Sequence, residues 1–116
     1  MRRLILSVIF LCLFPCLSWA VPAFDASSSL HDSTNTLSQL TFSHTVSGAN
    51  RLLIVGTGTR FCPSSPATVT GITYNGIALA QQWTITGDAG FAISEGWSLL
   101  GPATGTHDVV VTFSAV

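Results

Sequence analysis

From Leu37 onward the chain alternates. Leu40, Phe42, His44 and Val46 take one set of positions, and Thr41, Ser43, Thr45 and Ser47 take the other. A period of two with one apolar set predicts a strand lying over a core. Gly48-Ala49-Asn50 supplies a turn, and Leu52-Leu53-Ile54-Val55 then runs continuously apolar, which reads as a strand covered on both faces. Phe61 to Pro66 carries two prolines and two serines and reads as a loop.

The sharpest local signal is Asn75-Gly76, set between Val69–Tyr74 and Ile77–Ile85. Asn-Gly favours the type I′ turn of a two-residue hairpin, because both central residues must take positive φ. That turn predicts Tyr74 opposite Ile77 and Ile72 opposite Leu79, all four on one apolar face, with Trp83 and Ile85 continuing that face and Gln82 and Thr84 turned away. Thr86 to Gly90 is the next turn, followed by an alternating strand through Phe91, Ile93, Glu95, Trp97 and Leu99. Gly101 to Gly105 breaks it, and Val109, Val111 and Phe113 carry a last strand. No stretch after the first 20 residues keeps helical spacing over two turns. The expected class is therefore all-β, an antiparallel sandwich of jelly-roll or immunoglobulin-like type. About six strands can be traced, fewer than the seven or eight such sandwiches usually hold. The module over 37–116 is accordingly expected to be partial, continuing past Val116 or completed by another chain.

The N-terminal segment follows a different pattern. Arg2 and Arg3 precede an apolar run from Leu4 to Leu17, and Ser18-Trp19-Ala20 places small residues where signal peptidase reads them. The run is short for a bilayer span, so residues 1–20 read as a cleavable secretion signal rather than an anchor, with cleavage after Ala20 and Ala23 as the second choice. Pro15 stands before Cys16 where a lipoprotein signal carries a small residue, which argues against lipidation. Residues 21–36 are polar and without period, a leader with no regular structure. The expected location is outside the cell or on its surface, with no membrane attachment once the signal is removed.

Removal of the signal leaves Cys62 alone, so no internal disulfide framework is available. It is either a buried apolar side chain or the partner of a thiol elsewhere. The basic residues that remain are Arg51 and Arg60, against Asp25, Asp32, Asp88, Glu95 and Asp108, which gives 2 − 5 = −3 and includes no lysine. Binding to nucleic acid or an anionic membrane needs a basic patch, and this composition cannot assemble one.

Candidate chemistry is sparse. His31, His44 and His107 are not spaced as metal ligands, and no cofactor motif occurs. Gly56-Thr57-Gly58 lacks the rest of a dinucleotide loop. There is no G-x-S-x-G elbow, calcium loop or N-x-S/T sequon. Glu95 interrupts an apolar face, and a buried carboxylate is costly unless paired. Arg51 or Arg60 could meet it, or a bulge at Gly96 could turn it outward. As a glycosidase acid it would need a second positioned carboxylate; Asp88 is the nearest candidate, although Asp in a Gly-rich turn is expected for turn chemistry alone. Trp83 and Trp97 would stack on sugar rings if exposed, but their pattern assigns them to the core. Trp83, Trp97, Asp88 and Glu95 are thus the ligand-binding candidates, and no catalytic residue is identified.

Three segments resemble parts of a β-sandwich module common in large secreted bacterial and environmental proteins. They are Phe42 to Val55, the V-T-x-I-T-Y-N-G-x-x-L run at Val69–Leu79, and Trp97 with the P-x-x-G-T-H-x-V-x-V-T-F segment ending at Phe113. The resemblance covers roughly Leu37 to Phe113. It implies a jelly-roll-like domain joined to other extracellular domains, with no catalytic residues to carry over and with further strands after the position of Phe113. The functional expectation is a non-catalytic extracellular module that binds a polysaccharide or cell-surface component or acts as a spacer. The alternatives are a self-assembling structural subunit completed by strand exchange, as a homo-oligomer, and a polysaccharide-acting enzyme fragment.

Overall fold

The computed structural model describes residues 22–32, 38–60, 67–87 and 91–114. Residues 1–20, expected to be a secretion signal, residues 61–66 with Cys62, expected to be a loop, and Asp88 lie outside the described residues. Within them there is no helix, and seven strands appear: β1 Gln39–Val46, β2 Leu52–Arg60, β3 Val69–Tyr74, β4 Ile77–Ala78, β5 Ala80–Gly87, β6 Ala92–Leu100 and β7 Gly105–Phe113. They form two antiparallel sheets packed together, ordered β1-β7-β3-β4 and β2-β6-β5. The all-β sandwich expected from the alternating pattern is the fold.

The alternation decides which side chains meet between the sheets. In the larger sheet, β1 pairs with β7 from Gln39 opposite Thr112 to Val46 opposite Gly105. This places His44, Val46, Val109 and Val111 inward, joined by Val69, Ile72 and Tyr74 from β3. From the smaller sheet Leu53, Val55 and Trp97 close the core. The outward positions of β1 and β7 are polar except for Val110, and two of the pairs are hydrogen-bonded across the strands: Ser43 Oγ donates to Asp108 Oδ1 at 2.9 Å, and the Thr45 and Thr106 hydroxyls are 2.7 Å apart.

Asn75 and Gly76 take φ of 49° and 75°, as a type I′ turn requires, and Leu79 N–H donates to Ile72 O at 2.9 Å. The predicted Ile72–Leu79 opposition is therefore present, with both side chains buried. Ile77, expected on that buried face, is 59 % exposed at the hairpin tip. The strand expected over Ile77–Ile85 is also divided. Ala78 pairs with Thr73 in the larger sheet, whereas Ala80 pairs with Ser98 in the smaller one, so the chain changes sheets at the single residue Leu79.

Two further expectations are corrected. Leu52–Val55 is covered on one face only: Leu53 and Val55 are buried, while Leu52 and Ile54 are 57 % and 69 % exposed. Trp83 and Ile85 do not continue the core face; they are 47 % and 62 % exposed. The cause is a register shift between Gln81 and Trp83, where β5 carries one residue more than β6. A strand's side chains alternate with period two, so one extra residue moves everything beyond it to the opposite face.

Before β1, residues 22–32 have no regular structure, and this leader follows β1 in the opposite direction. Asp25 accepts from the Ser47 hydroxyl at 2.6 Å and from its backbone N–H at 2.7 Å, and Ser28 Oγ lies 2.9 Å from His44 Nδ1. Three residues along the leader thus match three residues back along the strand. The hydroxyl of Ser47, then its N–H, hold the Asp25 carboxyl below its ordinary range, with a smaller pull from His44. A lowered carboxyl contributes above its unfolded pKa and is lost as pH falls through the folded value. The leader is expected to stay docked at neutral pH and to detach in acid, below about pH 4. Loss of the Ser47 amide's protection from exchange over that interval, absent in Asp25→Asn, is the measurement.

Candidate functional site

The three candidates among the described residues, Trp83, Glu95 and Trp97, do not converge. Glu95 and Trp97 point between the sheets and are buried, while Trp83 stands on the opposite, outward face of the smaller sheet.

On the inner face, Thr57 is opposite Glu95 and Val55 opposite Trp97 across β2 and β6, and Thr84 is opposite Glu95 and Gln81 opposite Trp97 across β5 and β6. Glu95 Oε1 accepts from Gln81 Nε2 at 3.0 Å and from Thr84 Oγ1 at 3.3 Å. Neither expected arrangement for Glu95 holds. Arg51 is committed elsewhere, its Nε donating to Pro102 O at 2.8 Å and its Nη1 to Gly48 O at 2.5 Å. The bulge lies in β5 instead of at Gly96, and it brings Gln81 and Thr84 to the same face despite their spacing of three. Neutral donors therefore meet Oε1 of the buried carboxyl group. The Thr57 and Thr59 hydroxyls and Trp97 Nε1 nearby are buried without a partner, so this end of the inner face is polar and incompletely matched.

On the outer face, the Trp83 indole lies against Gly96, and a Cβ added there would fall on the Nε1 edge of the ring. Gly96 faces Gly56 across β6 and β2, and a Cβ at Gly56 or Gly58 would meet nothing within 4 Å. The result is a shallow trough of bare backbone with the indole beside it. Around it stand Ile54, Ile85, Leu52 and Leu100, the last 83 % exposed. Arg60, at the far end of β2, is the charged side chain this face carries among the described residues. The two outer faces differ in kind. The larger sheet presents hydroxyls paired across strands, and the smaller one presents an aromatic ring and aliphatic groups in a cluster that monomeric proteins seldom leave uncovered.

Sequence reasoning missed Gly56, Gly58 and Gly96 as parts of a surface, and Gln81 and Thr84 as the partners of Glu95. Gly56-Thr57-Gly58 is uninformative as a nucleotide loop, yet glycines at alternate positions of a strand mark one face stripped of side chains. His44 is buried as expected and hydrogen-bonded to Ser28, and His107 Nε2 lies 3.0 Å from Thr104 O at the turn before β7. Among the described residues no cluster of three or more His, Cys, Asp or Glu side chains could hold a metal, and no helix is long and apolar enough to cross a membrane.

No protein-family model matches this chain, nor does any curated protein or solved structure.

Proposed function

We propose that the chain is an exported, non-catalytic module that binds polysaccharide through the outer face of its smaller sheet. The observation that carries this reading is the half-exposed Trp83 indole laid against Gly96, beside the open backbone of Gly56 and Gly58. A pyranose ring has an apolar face of C–H groups and a hydroxyl rim. Its apolar face stacks on an aromatic ring, and a trough without side chains lets it approach the sheet closely. Near-absence of charge on this face favours a neutral partner over an ionic one.

A hydrolytic reading has less support. Glu95 is held by Gln81 and Thr84 on the face opposite Trp83, so a chain stacked on the indole does not reach it. Glycoside hydrolysis further requires two carboxylates across one bond, and Asp108 is on the outer face of the other sheet, bonded to Ser43.

The test is retention of the purified chain on a panel of insoluble neutral polysaccharides, with Trp83→Ala alongside. The expected result is retention on at least one of them, weakened at least about tenfold by the substitution, as for a central aromatic contact. Equal retention of the wild type and Trp83→Ala, or none on any polysaccharide, would remove the proposal.

A further inference from the structure

We propose that the cleft beside β2 receives the leader of a second copy of this chain, each leader keeping its hold on its own β1, so that two copies exchange leader contacts about a two-fold axis. The cleft holds about 900 Å³ and is bounded by the leader, the inward side chains of β1 and β7, and β2. All seven consecutive residues Leu52–Gly58 line it, not alternate ones. Alternate residues would mean a face of the strand; consecutive ones mean its rim, where backbone N–H and C=O groups point. Among the described residues β2 pairs only with β6 and ends its sheet. Its rim from Leu52 to Thr59 carries no charge and no proline, the usual devices that keep such an edge from pairing. Seven residues of strand span about 23 Å, so the opening is shaped for an extended segment bonded to β2, not for a compact molecule.

The leader has the properties of that segment. It is extended, and Phe24 and Leu30 are 83 % and 49 % exposed. Six positions apart, they fall on one face of a strand, where they would cover Leu40, Phe42 and Phe113, which pack only partly against the core. Its own copy is poorly placed to supply it. The leader runs antiparallel to β1, held there by Asp25 and Ser28, and β2 reverses from β1 through the short turn at 47–51, so leader and β2 run in the same direction. Antiparallel pairing is the more stable kind per residue. A two-fold axis reverses the incoming strand and makes the exchange reciprocal, with each contact made twice.

The inference is independent of polysaccharide binding, since Phe24 and Leu30 are remote in sequence from Trp83 and the readout is assembly. Sedimentation and amide exchange of the purified chain are measured together from dilute to concentrated solution. The expected result is a dimer, with the amides of Leu52–Gly58 that point away from β6 gaining protection as it forms. The double substitution Phe24→Glu with Leu30→Glu touches exposed positions, so the fold, checked by circular dichroism, is retained while dimerisation weakens at least about tenfold. Three outcomes overturn the proposal: a monomer at every concentration, a dimer whose β2 amides exchange as before, or protection of β2 that does not depend on concentration.

Discussion

Tyr74→Ala is expected to cost about 3–5 kcal/mol of stability, the range for removing a fully buried aromatic side chain. Tyr74 is 0 % exposed. Its ring meets those of His107 and His44 edge-on, with centroids 5.5 Å and 6.4 Å away, and its hydroxyl donates to Gly105 O at 3.1 Å with His44 O at 3.3 Å. One side chain thus ties β3 to the start of β7 and the end of β1, while its ring is fully buried in the core. Small domains have only about 5–15 kcal/mol in total, so a melting temperature lowered by more than about 12 °C is expected. Tyr74→Phe keeps the ring and should cost only about 1–2 kcal/mol, the hydroxyl's share. A calorimetric scan of both variants decides the matter; equal losses would place the stabilisation in the hydroxyl and not in the packing. Burial also pushes the phenol pKa up. The neutral form is therefore favoured by the fold, and this contribution, complete below about pH 10, disappears as pH rises through the raised value.

Gly96→Val is expected to weaken the proposed polysaccharide retention as strongly as loss of the ring does, while leaving the fold in place. A Cβ at this position would occupy the space of the Trp83 indole edge, and the ring, already half exposed, must swing off the sheet. Val is a favourable strand residue, and the new side chain points outward, so stability should change by no more than about 1 kcal/mol. Retention should fall at least about tenfold, as in Trp83→Ala. Retention at the wild-type level, with melting unchanged, would show that the ring's seat on Gly96 does not matter to binding and would leave Trp83 as a passive surface residue.

How far the sequence announces these features depends on how local their causes are. Asn75-Gly76 is legible because the turn's φ requirements are met by two adjacent residues, and Ile72 opposite Leu79 follows from them. The outward position of Trp83 is not. It depends on the chain leaving one sheet for the other at Leu79 and on an extra residue at Gln82, whose amide donates to Ala80 O at 3.2 Å; both are decided by the strand alongside. Glu95 is legible as an oddity on an apolar face, but its partners come from β5 through that same bulge, so spacing alone pointed to the arginines. The exposed half of Leu52–Val55 reads as core for a related reason: a continuous apolar run looks the same whether its second face is covered by its own chain or left for a partner.

The bulge in β5 amounts to a single codon. Deleting Gln82 would restore the uninterrupted alternation with every pair kept: Gln81 opposite Trp97, Trp83 opposite Gly96 and Thr84 opposite Glu95. The reverse event, one inserted triplet taken up as a bulge, lengthens the strand by a residue while the ring stays on the exterior and Gln81 and Thr84 stay beside the buried acid. Display surface and polar interior are then both buffered against a one-residue change in length, the kind of change that a period of two would otherwise turn into an exchange of faces.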